Sequence, residues 1–308
     1  MPSVIGTVVV PGNLDGVHLG HQELLRQALE IAKEQRLKVT ALTFDPHPMS
    51  VLTPDQRPFL LTSIQRKQEL LLQYGVNNVW IETFDNTFSQ LSAHAFIETI
   101  LVNKLRAKAV ILGPDFRFGA NRQGNIETLK AAGKTMGFAV HPVTMKAMAG
   151  QPVSSTQVRH ALQRGDIELA TTLLGRPYDI EGTVVRGHQR GRTLGFPTAN
   201  LKDITTLLPA DGVYATVVRR MDRPHSPLLL GVTNLGTSPT FETPPSMEVH
   251  LFDMVDDLYG ERLRVAFGSR LRAQRKFTQV ADLKAQIRAD CQHARTVLQV
   301  FLPQCRSL

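Results

Sequence analysis

Two kinds of hydrophobic pattern divide the chain. Up to about Val143, short β-branched and apolar runs over residues 4–10, 38–44, 78–81, 108–112 and 138–143 alternate with stretches of helical periodicity. Over 22–35, for example, Leu24, Leu25, Ala28, Leu29 and Ala32 form one apolar face. Thr62 or Ser63 can cap a helix that runs to Tyr74 and stops at Gly75, and Ser92 can cap another through Leu105. Strand and helix in alternation predict an α/β unit: a mostly parallel sheet covered on both faces, with ligands at the carboxyl ends of the strands. Helices over 156–163 and 167–174 follow, and then the pattern changes. From Tyr178 onward, strands over 180–185, 213–219, 228–233, 247–252 and 263–267 are separated by Gly, Pro, Asn and Asp, which predicts a small antiparallel β-barrel. A helix over about 278–301 closes the chain, with Val280, Leu283, Ile287, Val297 and Leu298 as its expected buried stripe. Gly175 can end a helix and Pro177 prevents its continuation, so the domain boundary is expected between 1–175 and 176–308.

A length of 308 residues suffices for two domains that each bury a core. Apolar residues at 42% and charged residues at 20% indicate a soluble globular class. No run approaches the roughly 18 apolar residues of a membrane span, and the N-terminus lacks a signal-peptide pattern, so a cytoplasmic protein without membrane association is expected. Cys291 and Cys305 have no spacing for a zinc site or a disulfide framework. A net charge of +8 asks for an anionic partner. Basic clusters over 186–192 and 262–276 are not interleaved with aromatics in the way a single-strand-binding surface would be, which favours phosphorylated small molecules over nucleic acid.

The segment Gly12-Asn13-Leu14-Asp15-Gly16-Val17-His18-Leu19-Gly20-His21 puts two imidazoles three residues apart where a strand hands over to a helix. Backbone N–H groups at a helix start favour anions, and histidines beside them can donate to phosphate oxygens as charge builds. A glycine-rich turn alone needs no such chemistry. In Thr43-Phe44-Asp45-Pro46-His47-Pro48 two prolines stiffen a strand exit and hold Asp45 and His47. Ser154, Ser155 and Thr156 open a helix with Arg159 one turn inside; one hydroxyl would serve as a cap, and the set makes a better anion cradle than a cap needs.

Together with Leu112-Gly113-Pro114-Asp115-Phe116-Arg117-Phe118-Gly119, these segments resemble the nucleotidyltransferase superfamily, and most closely the prokaryotic bifunctional riboflavin kinase/FMN adenylyltransferase family, also called FAD synthetase. The likeness covers nearly the whole chain. It implies a Rossmann-like nucleotidyltransferase domain in which FMN phosphate attacks the α-phosphate of ATP with Mg²⁺ assistance, releasing pyrophosphate and forming FAD. It further implies that Gly12, Asn13, Asp15 and Gly16 bind ATP phosphates and that His18 and His21 stabilise the triphosphate in the transition state. Ser155, Thr156 and Arg159 would hold pyrophosphate, and Asp115 would lie at the nucleotide or flavin side. Such transfers require charge neutralisation and alignment, with no nucleophilic Ser or Cys. Two positions depart from the family pattern: Pro11, which removes an N–H near the turn, and Leu14, where Phe is usual.

Beyond the boundary, the run over 182–192 and the segment over 194–200 supply Gly187, Gly191 and Arg192, suited to a loop that folds over phosphates. Thr198 and Asn200 offer a hydroxyl and an amide oxygen to a hard cation. In Met247-Glu248-Val249-His250-Leu251-Phe252, alternation puts Glu248, His250 and Phe252 on one face; taken alone, a strand Glu is ordinarily a solvated outer residue. The segments over 197–200, 212–215, 231–241 and 257–260 resemble the riboflavin kinase module in order and spacing. That resemblance implies that Thr198 and Asn200 bind Mg²⁺ and ATP, and that Glu248 takes the proton of the ribityl 5′-hydroxyl as it attacks the γ-phosphate. Arg275, Lys276 and Phe277 would face the flavin. The expected activity is conversion of riboflavin to FMN and of FMN to FAD, each with ATP. If Pro11 disables the first site, the chain would be a riboflavin kinase with a degenerate adenylyltransferase domain. A regulator that kept the fold to bind a nucleotide or nucleic acid would have no use for a strand carboxylate beside a cation site.

Overall fold

The computed structural model describes residues 6–308 apart from 57–58, 144–146, 149–150, 188–189, 237–245, 255 and 306–307. Contacts divide the chain into two compact units, one ending at Ser155 and one beginning at Thr156.

In the first unit five parallel strands lie in the order β3-β2-β1-β4-β5: β1 (Thr7–Pro11), β2 (Lys38–Asp45), β3 (Asn78–Thr83), β4 (Ala107–Leu112) and β5 (Ala139–Pro142). Strand alternation explains the two-sided covering. Val8, Val10, Val39, Ala41, Ala109 and Ile111 pack under helices α1 (Leu19–Gln35) and α2 (Ile64–Gln73). Val9, Leu42, Val110 and Leu112 pack on the opposite face, against Ile97, Ile100 and Leu101 of a π-helix (Ile97–Lys104) and Leu129 of α3 (Ile126–Met136). The chain reverses direction across the sheet between β1 and β4, the place where open α/β sheets leave a crevice at their carboxyl ends. The segment Gly12–His21 leaves β1 at that end. Ser63 caps α2, accepting from Arg66 N–H at 3.1 Å, and Tyr74 closes the helix before Gly75, whose φ of 94° suits glycine.

The second unit begins with α4 (Ser155–Arg164, by its first residue on the division) and α5 (Ile167–Leu174). Six antiparallel strands then close a barrel in the order β8-β9-β10-β7-β6-β11: β6 (Tyr178–Val185), β7 (Ala199–Lys202), β8 (Gly212–Arg220), β9 (Leu229–Gly236), β10 (Ser246–Leu251) and β11 (Arg262–Arg272). Its interior holds Tyr178, Tyr214, Phe267, Leu235, Met247 and Val249, with Thr216 and Thr233 satisfying each other at 2.8 Å. Outside, Val213, Ala215, Val217 and Val232 are covered by α6 (Val280–Phe301).

Most predicted elements are present with shifted ends. Of the expected strand over 4–10, residues 4 and 5 lie outside the described residues. Helix α1 starts at Leu19, three residues before the apolar period becomes visible, and so carries His21 in its first turn. Strand β7 escaped the sequence reading because it is four residues long and Leu201 is its one buried side chain. The stripe expected on α6 needs correction at one end: Val280 is 60% exposed, while Leu283, Ile287 and Val297 are half-buried and Leu298 is fully buried. The other buried positions are Asp290, Ala294 and Phe301, with Asp290 accepting from Arg272 at 2.8 Å. Burial pushes the thiols of Cys291 and Cys305 up to about 11 and about 12, which leaves both as protonated packing groups.

Candidate active sites

The turn after β1 is built from left-handed backbone. Leu14 (φ 49°), Gly16 (φ 79°) and Val17 (φ 40°) all occupy that region, and only one of the three is glycine. Such strain persists only where surrounding contacts over-determine it. Here Leu14 and Val17 are buried in the core beneath α1 and α2. The Asp15 carboxylate, 1% exposed, accepts from Leu61 N–H and Thr62 N–H at 3.0 and 3.2 Å, Gly16 N–H donates to Thr62 Oγ1, and Ser155 Oγ donates to Asp15 O at 3.0 Å. Asp15 therefore shapes the turn, with its side chain directed at the 61–62 backbone.

This geometry brings the two histidines together. His18 precedes α1 and His21 lies in its first turn, and their rings stack at 3.6 Å with a 22° tilt. Leu19 and Gly20 are first-turn residues of α1, whose N–H groups have no acceptor within the helix, so two imidazoles and a helix start share one spot. Asn13 Nδ2 lies 3.2 Å from His47 Nε2, joining the turn to the exit of β2. Pro11 does no damage to the sheet. Gly12 N–H bonds Leu42 O on the β2 side, so the nitrogen of Pro11 faces β4, where pairing with β1 ends at Val9.

The sequence reading missed Lys67. It is 5% exposed, its Nζ donates to Thr43 Oγ1 at 3.3 Å, and Thr43 in turn donates to Asn13 O at 2.9 Å. Burial lowers its pKa from the usual lysine value, while Asp15 and Asp45 pull it back up. The signal was present: Lys67 falls between Ile64 and Leu70/Leu71 on the buried face of its helix, where a charge needs a reason. Beyond the sheet's carboxyl end, Phe44, Phe84, Phe88, Phe96, Phe118 and Phe116 form a continuous run of ring contacts, with neighbouring centroids 5.3–6.2 Å apart. Asp115 stands exposed on the same loop as the last two. Thr156 and Arg159 stand on α4 in the second unit.

On the barrel, register brings the second constellation together. Glu248 pairs with Asn200 across β10–β7, and directly paired side chains lie on one face about 5 Å apart. Leu201, Met247 and Val249 point inward, so Asn200 and Glu248 point out. Neither makes a side-chain hydrogen bond among the described residues. The preceding loop closes down on the same place: a Cβ at Gly187 would come within 2.6 Å of Asn200 Oδ1, and one at Gly191 would lie 3.2 Å from Thr198 Oγ1. His188 and Gln189 lie outside the described residues, as does the 237–241 part of the matched segment over 231–241. Arg192 is exposed on the single helical turn Arg190–Leu194. His250, two residues beyond Glu248, bonds Pro197 O through Nδ1 at 2.8 Å and so fixes the approach to Thr198. Arg275 lies 4.9 Å from the ring centre of Phe277 and reaches Gln286 of α6. A cavity of about 460 Å³ continues along this face, lined by Phe196, His250, Phe252, Arg288, Gln292 and Arg295 among others.

Gly187→Ala tests the cradle. The group in its way is the end of a flexible side chain, so the expected result is displacement of Asn200 with an unchanged melting temperature and a loss of phosphotransfer in kcat/KM of about tenfold, the scale of one misplaced polar contact. An unchanged kcat/KM in a steady-state assay would remove Asn200 from the site.

Two stacked histidines at a helix start on a parallel sheet, and a carboxylate–amide pair on a closed barrel, are the layout of a transferase with two catalytic units. The FAD synthetase family model matches residues 2–157 and the riboflavin kinase model residues 174–298. The bifunctional riboflavin kinase/FMN adenylyltransferase of Escherichia coli (strain K12) is 40% identical over 299 residues, covering 97% of this chain and 95% of its own. Its counterpart in Bacillus subtilis (strain 168) is 37% identical, covering 94% and 91%. A crystal structure described as a macrolide-efflux protein from Streptococcus pneumoniae superposes with a TM-score of 0.84 at 31% identity, over 96% of this chain and 95% of that one. Among the described residues no helix is long and apolar enough to cross a membrane. The chain belongs to the bifunctional riboflavin kinase/FMN adenylyltransferase family.

Proposed function

We propose that the chain phosphorylates riboflavin with ATP to FMN on its barrel and adenylylates FMN with a second ATP to FAD, releasing pyrophosphate, on its α/β unit. The observation that carries this reading is the register of Glu248 opposite Asn200 beneath the Gly187–Gly191 loop, in a chain that also stacks two histidines at a helix start. Matches to both family models support two activities over a kinase with a degenerate partner domain. The functional domains are taken as 1–175 and 176–308.

In the kinase step, Glu248 accepts the proton of the ribityl 5′-hydroxyl while that oxygen attacks the γ-phosphorus and ADP leaves. Gly187, Gly191 and Arg192 hold the phosphates, and Arg275 and Phe277 take the flavin side. Family membership implies a divalent metal, and the residues fit one: Thr198 and Asn200 are hard oxygen donors, and the two glycines leave the space beside them clear of Cβ atoms. We assign it as Mg²⁺; when bound, it neutralises charge on the phosphates. The aromatic-walled cavity beyond Phe196 and His250 suits a planar heterocycle of one of the two substrates.

In the adenylyl step, a phosphate oxygen of FMN attacks the α-phosphorus of ATP and pyrophosphate departs. Gly12, Asn13, Gly16 and the start of α1 receive the phosphates, His18 and His21 donate to the oxygens that gain charge, and Ser155, whose Oγ donates to Asp15 O, lies beside them on the pyrophosphate side. Asp15 contributes through the shape of the turn. The phenylalanine run beside Asp115 offers the isoalloxazine ring an apolar platform. These substrates point to the cytoplasm.

Incubation with riboflavin, ATP and Mg²⁺, followed by separation of the flavins, tests the reading. FMN followed by FAD is expected. FMN alone would withdraw the adenylyl step, and no conversion would end the proposal.

A further inference from the structure

Asn234 of β9 flanks Glu248 on the side away from Asn200: its register partner is Glu248 itself. Its neighbours Thr233 and Leu235 are buried in the barrel, so Asn234 faces outward and is half-buried. Three side chains from three adjacent strands, Asn200, Glu248 and Asn234, therefore form one polar row across the outer face, with the carboxylate in the middle. The row is extended by Gln274, whose Nε2 donates to Asn234 Oδ1 at 2.6 Å and to Leu235 O at 2.7 Å. Both hydrogens of that amide are then spent, one on the backbone, which fixes Gln274 and through it Asn234. With Asn234 Oδ1 turned toward Gln274, its NH₂ is presented on the other edge of the amide. It makes no hydrogen bond among the described residues.

A half-buried amide held by its oxygen and offering its donors beside a carboxylate is suited to grasp the oxygen of a substrate whose hydroxyl that carboxylate deprotonates. Asn200 and Thr198 occupy the opposite flank, beneath the phosphate loop. Resting on the kinase reading above, we propose that Asn234 is a substrate-positioning residue for that reaction: it donates to a secondary hydroxyl of the polyol chain and so aims the terminal hydroxyl at Glu248, with Gln274 setting its orientation.

The test crosses variants with substrates. Wild type, Asn234→Ala, the isosteric Asn234→Asp and Gln274→Ala are assayed with riboflavin and with a flavin bearing an ω-hydroxypentyl chain, which keeps the terminal hydroxyl and lacks the secondary ones. Asn234→Ala should lower kcat/KM for riboflavin about tenfold, the size of one lost hydrogen bond, and leave that for the hydroxypentyl flavin within about twofold. Asn234→Asp should fall at least as far with riboflavin, because it keeps the shape and loses the donor. Gln274→Ala should show a smaller loss with the same substrate dependence. Melting temperatures identify any variant that fails to fold, in which case the isosteric variant decides. Equal losses on both flavins, or no loss on riboflavin, would overturn the role of Asn234 while leaving the kinase reading intact. A wild-type protein that phosphorylates neither flavin would instead remove the reading on which the role depends.

Discussion

Replacement of Glu248 by glutamine is expected to stop FMN formation while FMN is still converted to FAD. The variant keeps size and hydrogen-bonding capacity and removes only the ability to take a proton. Glu248 lies in the middle of β10, between Asn200 and Asn234, and neither neighbour can accept the proton in its place. The loss should therefore fall in the range of an absent general base, about 10²- to 10⁴-fold in kcat, with a smaller change in KM for either substrate. A quenched assay that follows riboflavin and FMN as separate substrates checks both halves. A variant that loses FMN-to-FAD conversion as well, with an unchanged melting curve, would defeat the assignment of the two chemistries to separate sites.

How much of this was legible in the sequence depended on whether a residue's role is local. The helix start with its His18 and His21 could be read because both histidines sit within a single turn of chain, and the cap at Ser63 for the same reason. Glu248 could be placed on a strand face by alternation, yet its partners could not, since Asn200 and Asn234 join it through pairing of β7 and β9 with β10, and register is a property of the closed barrel. Strand β7 itself, four residues of which only Leu201 is buried, carries too little pattern to be seen alone. Asp15 shows the same limit. Its place in a phosphate turn suggests contact with ATP, and only the folded chain shows that its carboxylate also accepts from the backbone of residues 61–62, some 46 positions away. Lys67 was visible as a misplaced charge on an apolar helix face, but its targets, Thr43 and through it Asn13, come from two other elements. That Pro11 costs the sheet nothing was likewise visible only from its neighbours, because its missing N–H falls where the β1–β4 ladder has already ended.

The second large effect is expected from His21→Ala, which should lower FAD formation about 10²- to 10³-fold and leave FMN formation unchanged, the cost of one preorganised donor to developing charge. His21 is the better probe of the pair. It is half-buried on α1, where alanine is a good helix former, so its removal should not disturb the fold. His18 is 3% exposed at the joint between the turn and α1, and truncating it leaves a gap under a backbone already held in left-handed conformations. The stacked rings, 3.6 Å apart, also predict how the two combine. Groups in contact that serve one oxygen cluster are not additive, so His18→Ala/His21→Ala should be only a few-fold worse than the more damaging single change, far from the product of the two. The discriminating measurement is single-turnover adenylyl transfer from saturating ATP to FMN. If the double variant lost the full product of the single effects, the histidines would be acting on separate groups, and a shared site at the start of α1 would have to be given up.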